Sequence, residues 1–181
     1  MVFRSNTGFA ASTDLSTLGG ATGAVLHGTA MIGRDYSGVS VSGAGDVNGD
    51  GIDDLIIGAR GAGSNSAYSY GLGGSYVVYG SNSGLAGSLD LSTLDGTNGV
   101  FLNGVGFFDF TGISVGAAGD VNGDGIDDLI IGARDGSPNG IDRAGTSYVV
   151  FGQRAVTIPE PGSALVVLGG LVAWLTRRRR R

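Results

Sequence analysis

The chain has 181 residues, of which 37 are glycine and 3 proline, a length suited to one ordinary domain and a composition suited to tight turns between short strands. With no cysteine and one histidine, disulfide frameworks and thiolate zinc sites are excluded, and Ser/His or Cys/His nucleophilic pairs have almost no material. The formal charge of −5 hides a bipolar chain: residues 1–155 hold 15 Asp and 6 Arg, giving −9, and residues 156–181 hold 5 Arg and Glu160, giving +4. An acidic body with few arginines presents no basic face to phosphates, so nucleic acid is not an expected partner.

In chain order, the first element is DLSTL at 14–18, which returns at 90–94, an offset of 76. Leu26-His27-Gly28 returns as Leu102-Asn103-Gly104 at the same offset, and because Asn stands opposite His27 that residue reads as a polar strand end. Residues 44–60, AGDVNGDGIDDLIIGAR, recur letter for letter at 118–134, and Tyr76-Val77-Val78-Tyr79-Gly80 returns as Tyr148-Val149-Val150-Phe151-Gly152. Such self-similarity marks a repeat architecture, and the small drifts in offset place the length changes in loops. Short aliphatic runs bounded by Gly, Asn and Asp predict four strands per unit, in the second copy at about 99–103, 112–116, 128–132 and 146–151.

Four antiparallel strands are the size of a propeller blade, so the expected fold is all-β: an incomplete β-propeller of two full repeats plus the end of a third, then a short C-terminal hydrophobic helix. Residues 2–9 line up with 78–85, so the chain starts in mid-repeat. The expected division is 1–18 for the end of a preceding repeat, 19–80 and 81–153 for two repeats, 154–163 for a linker, 164–176 for a hydrophobic segment and 177–181 for an arginine cluster.

The chemistry concentrates in DVNGDGIDD. Asp46, Asn48 and Asp50 fall at positions 1, 3 and 5, Gly51 at 6 and Asp54 at 9. Glycine permits the sharp turn that lets the carbonyl of Ile52, at position 7, point inward, as in other calcium loops. The second copy offers Asp120, Asn122, Asp124, the Ile126 carbonyl and Asp128. Hard oxygen donors without sulfur or imidazole favour Ca²⁺, at two sites. The same residues also suit an Asx-rich turn in its own right, but three carboxylates within nine residues repel each other unless a cation offsets them. Asp53 and Asp127, at position 8, are expected to point away from the ion. An EF-hand needs a Glu at position 12 and flanking helices; here Ile57 and Ile131 stand at that position, within strand-like runs.

The stretches YSGVSVSGAGDVNGDGIDDLIIGAR (36–60) and FTGISVGAAGDVNGDGIDDLIIGAR (110–134) resemble FG-GAP repeats, the blades of the integrin α-subunit β-propeller and of many bacterial surface proteins. The resemblance implies that Asp46, Asn48, Asp50, Ile52 and Asp54, and their second-copy equivalents, hold calcium in a turn between two strands of a blade. Two departures stand out: Tyr36-Ser37-Gly38 and Phe110-Thr111-Gly112 carry one residue inserted into Phe-Gly, and Arg60 and Arg134 replace the proline of Gly-Ala-Pro.

The end of the chain is a separate device: Pro159-Glu160-Pro161, an apolar run from Ala164 to Leu175, then arginines 177–181. Residues 163–176 as a helix reach about 21 Å against a bilayer core of about 30 Å, and the positive-inside rule places the arginines in the cytoplasm. This order resembles the PEP-CTERM sorting signal of Gram-negative bacteria, which implies an exosortase-like processing enzyme as a partner and a transient membrane anchor. No charged n-region with an apolar h-region opens the chain, so it is expected to be the C-terminal part of a longer protein or a truncated gene model.

The expected function is that of an exported cell-surface or extracellular-matrix protein with structural calcium, acting in adhesion, interaction or envelope structure toward a protein or polysaccharide ligand. It is not expected to be an enzyme. Two alternatives are accessory repeats of an extracellular hydrolase and a scaffold that assembles into an array, since two blades leave open edges.

Overall fold

A computed structural model of the chain describes residues 12–29, 34–63 and 72–154. The N-terminal match over residues 2–9, the Pro159-Glu160-Pro161 segment, the apolar run with its expected helix and the arginine cluster lie outside the described residues.

The described chain is built of strands, and its only helical elements are three short 3-10 turns. Strands β1 (Val25–His27) and β5 (Ser88–Asp90) form a small parallel pair. Strands β2 (Ser37–Gly45), β3 (Asp54–Ala59), β4 (Gly74–Val78) and β6 (Gly99–Asn103) form an antiparallel four-stranded sheet in that order. Strands β7 (Thr111–Gly119), β8 (Asp128–Ala133) and β9 (Thr146–Val150) form a second antiparallel sheet that matches the first three strands of its neighbour. The all-β, blade-like architecture expected from the repeat is therefore the observed one. Strand β6, which opens the second copy in sequence, completes the sheet of the first by pairing Tyr76 with Phe101 and Val77 with Val100.

Strand β7 is longer than the expected 112–116, because the small residues Ala117–Gly119 continue the ladder toward Asp128 across a register shift. A second shift near the start of β2 and of β7, between Ser37 and Ser40 and between Thr111 and Ser114, absorbs the inserted residue as a β-bulge. Tyr36 and Phe110, beside those bulges, adopt φ of 54°. The Arg60 guanidinium lies 4.4 Å from the Tyr36 ring centre and that of Arg134 lies 5.3 Å from the Phe110 ring centre. The two departures from the FG-GAP pattern thus meet in space: the arginine that replaces proline covers the aromatic ring at the insertion.

The two larger sheets stack through a shared core. Ala44, Val47, Ile56 and Val77 of the first meet Leu129 and Ile131 of the second, with Val115, Tyr148 and Val150 at the margin. Complete burial of a side chain such as Ile56 or Val77 contributes about 1.5–3 kcal/mol. On its other face the first sheet buries Ile57, Tyr76 and Val78 beneath Leu91, Leu26, Leu89 and Leu94, which belong to the β1–β5 region. The 3-10 turn Leu91–Thr93 is capped by the Asp90 carboxylate, which accepts from the Ser92 N–H, as Asp14 does from Ser16 in the equivalent turn.

At one end of the stack the backbones come too close for side chains. A Cβ on Gly58 would fall on the Gly112 carbonyl oxygen, the same oxygen that accepts from the Ser40 hydroxyl at 2.9 Å. Gly58→Val is expected to force the sheets apart and lower stability by about 1–3 kcal/mol, measured by urea denaturation. Gly116→Ala, where a Cβ meets only ordinary contact with Ile130, is the control, and equal midpoints for the two variants would refute the close approach.

Candidate functional site

The loop between β2 and β3 and the loop between β7 and β8, each with the first residue of the strand that follows, hold the aspartates expected to bind the ion. Each begins where small residues end one strand and closes where a carboxylate opens the next. Gly51 and Gly125, with φ of 87° and 83°, supply the left-handed turn that an L side chain rarely adopts.

Within the first loop the side chains fold onto the backbone. Asp46 accepts from the Asp50 and Gly51 N–H groups at 3.0 and 2.7 Å, Asn48 accepts from the Asp50 N–H at 2.9 Å, and Asp50 accepts from the Ile52 N–H at 2.9 Å. The amide of Asn48 donates to Asp50 at 3.1 Å. The second loop repeats the pattern with Asp120 on Gly123, Asp124 and Gly125, Asn122 on Asp124, and Asp124 on Ile126. The backbone N–H groups, Gly125 first, hold the Asp120 carboxyl below the usual carboxylate range.

Asp54 and Asp128 differ from the rest, being almost wholly buried. Asp54 accepts from the Val47 N–H at 3.1 Å and from the Gly80 N–H at 2.8 Å; Asp128 accepts from Val121 at 2.8 Å and Gly152 at 2.9 Å. Each carboxylate therefore clasps the start of its own loop to the residues that follow the third strand of its sheet. Burial pushes the Asp54 carboxyl above its ordinary value; the Gly80 and Val47 N–H groups oppose this, and the charges of Asp50 and Asp46 add to it.

The structure brings Asp46, Asn48, Asp50, Ile52 and Asp54 into one turn, and likewise Asp120, Asn122, Asp124, Ile126 and Asp128. Among the described residues no three His, Cys, Asp or Glu side chains converge closely enough to hold a metal ion as they stand. In kind and charge the donors nonetheless suit a hard cation. They are oxygen throughout, they repel one another at Asp54, and the ion pair found among the described residues, Arg134–Asp135, lies outside both loops. A strand follows each loop, which agrees with rejecting the EF-hand.

Sequence reasoning did not reveal the work of Asp127. Its carboxylate accepts from the Asp46 N–H at 3.0 Å, and its own N–H donates to the Asp46 carbonyl at 3.2 Å. The Gln153 N–H reaches the Val47 carbonyl at 2.9 Å. The two loops are thus stitched together, and the one signal available was that an aspartate with no place in the ion cage occurs at position 8 of both copies.

Residues 37–78 and 111–150 match the FG-GAP repeat. Over 108 residues the chain is also 32% identical to integrin alpha-2 of Mus musculus, a match that spans 60% of this chain and 8% of that protein. The FG-GAP stretches begin at β2 and β7 and end at or beside the last residues of β4 and β9, so each comprises the three strands and the acidic loop, without the outer strand β6.

Asp54→Ala is expected to leave the Val47 and Gly80 N–H groups without their acceptor, at about 1–3 kcal/mol for a buried donor. Denaturation in chelator reads this cost independently of any ion. A loss no larger than that of Asp50→Ala, whose side chain is exposed, would show that the clasp is dispensable.

Proposed function

We propose that this chain is a calcium-stabilised, non-enzymatic module of an exported bacterial surface or extracellular-matrix protein. The observation that carries the reading is the duplication, letter for letter, of an all-oxygen acidic loop inside two FG-GAP stretches. Asp46, Asn48, Asp50, the Ile52 carbonyl and Asp54 would hold one Ca²⁺, and Asp120, Asn122, Asp124, the Ile126 carbonyl and Asp128 a second. The ion supplies positive charge where carboxylates gather, and its role is structural. Asp54 and Asp128 anchor each loop to its sheet, while the remaining donors are free to trade backbone N–H groups for the cation.

FG-GAP repeats of the integrin α type support an extracellular or surface placement, as does the Pro-Glu-Pro, apolar and arginine-rich order at the C-terminus, which resembles a PEP-CTERM signal read by an exosortase-like enzyme. No helix among the described residues is long and apolar enough to cross a membrane; the C-terminal segment lies beyond them. The ligand class that suits an exposed repeat surface is a protein or a polysaccharide.

Calcium is expected to raise the melting temperature relative to chelator, since an ion that binds only the folded state stabilises by about 2.7 kcal/mol per site at a hundredfold excess over Kd. Asp46→Ala and Asp120→Ala should each remove part of the gain, and the double variant all of it. Superimposable melting curves with calcium and with chelator would refute both sites. In cells that carry an exosortase, replacing Pro159, Glu160 and Pro161 by alanine is expected to leave the C-terminal segment attached, read from the intact mass of the protein; the same mass for wild type and variant would reject processing.

A further inference from the structure

The two copies of residues 44–60 and 118–134 are identical in sequence and differ in surroundings. In the first sheet Val47, Ile56 and Val77 are 8%, 0% and 1% exposed, because the second sheet covers them. Their counterparts Val121, Ile130 and Val149 are 56%, 42% and 48% exposed, and Phe151, the counterpart of half-buried Tyr79, is 53% exposed. The second sheet thus displays in the open the same apolar face that the first sheet buries.

The complementary surface is displayed at the other end. Leu129, 3% exposed, has as its counterpart Leu55 at 36%, and half-buried Val115 has Val41 at 68%. Asp127 grips the backbone of Asp46, whereas its counterpart Asp53 is exposed and its carboxylate has no partner among the described residues. The donor equivalent to the Asp46 N–H, the N–H of Asp120 in an exposed loop, likewise has no such carboxylate to donate to among the described residues.

We propose that these two surfaces are the halves of one interface and that a second copy of this chain joins them head to tail, its Val41, Asp53 and Leu55 seated against Val121, Ile130 and Val149 of the first. The contact within one chain is the template: the same side chains, from equivalent strands, already pack this way between the two sheets. Because the surfaces differ, the pairing is heterologous and each added copy exposes a fresh acceptor face. Ile57, Tyr76 and Val78 of the donor sheet are already covered by the β1–β5 region, so the contact between copies is smaller than the one within a chain, and association depends on concentration. It does not rest on calcium.

Sedimentation velocity of the full chain in mild detergent, with and without chelator, tests this. Wild type should sediment faster as concentration rises. Val149→Asp and Val41→Asp change exposed side chains, so both should keep the wild-type circular dichroism spectrum, and each alone should stay monomeric. Mixed in equal amounts they should form a dimer and grow no further, since each supplies the face the other lacks. The proposal is overturned by a wild type that is monomeric throughout, by association that survives in both variants, as contact through the apolar C-terminal segment would give, or by association lost in Val149→Asp but kept in Val41→Asp, as a symmetric face-to-face dimer would give.

Discussion

A buried carboxylate that accepts two backbone N–H groups is the constraint on which each sheet depends. Asp54 ties the Val47 N–H at the start of its loop to the Gly80 N–H beyond β4, and Asp128 does the same for Val121 and Gly152. Without an acceptor at that point, the Val47 and Gly80 N–H groups would be buried or half-buried without a partner, a cost that folded proteins rarely carry. The clasp fixes where β3 and β8 begin, sets the register of the alternating aliphatic residues that follow, and so decides which side chains face the neighbouring sheet. The charge at this position has its own cost, visible in the raised Asp54 carboxyl. That cost is the physical link between a structural clasp and a loop suited to a cation.

The stack extends the same logic from one sheet to two. Asp127 and Gln153 bind the backbone of Asp46 and Val47, and beneath those polar contacts Ala44, Ile56 and Val77 meet Leu129 and Ile131. The first loop is therefore partly buried by the second sheet, while the second loop, with the same letters, lies exposed. An identical sequence in two settings separates what the residues specify by themselves, the turn and its Asx hydrogen bonds, from what neighbours impose.

Much of this was legible from residues alone. Strand positions followed from short runs such as Leu55-Ile56-Ile57 between glycine-rich turns, and the exact repeat made four strands per unit the natural reading. The acidic loops were found by spacing, and their side chains do occupy single turns. Less legible were contacts between units, which depend on long-range approach rather than local pattern. Nothing near Asp127 shows that its carboxylate crosses to Asp46, and nothing near Arg60 shows that its guanidinium meets the ring of Tyr36. The extension of β7 to Gly119 was missed because a bulge breaks the alternation that marks a strand.

The place of β6 bears on how such chains lengthen. It follows the acidic loop, β3 and β4 of one repeat and opens the next in sequence, yet its hydrogen bonds run back to β4. The segment that is copied and the sheet that folds are therefore out of phase by one strand. Inserting one full period between β4 and β6 preserves the pairing at that edge, because the unit that follows lends its opening strand backward to β4. A gene can then gain or lose whole periods without cutting at a sheet boundary, which makes unequal crossing-over between repeats tolerable to the fold.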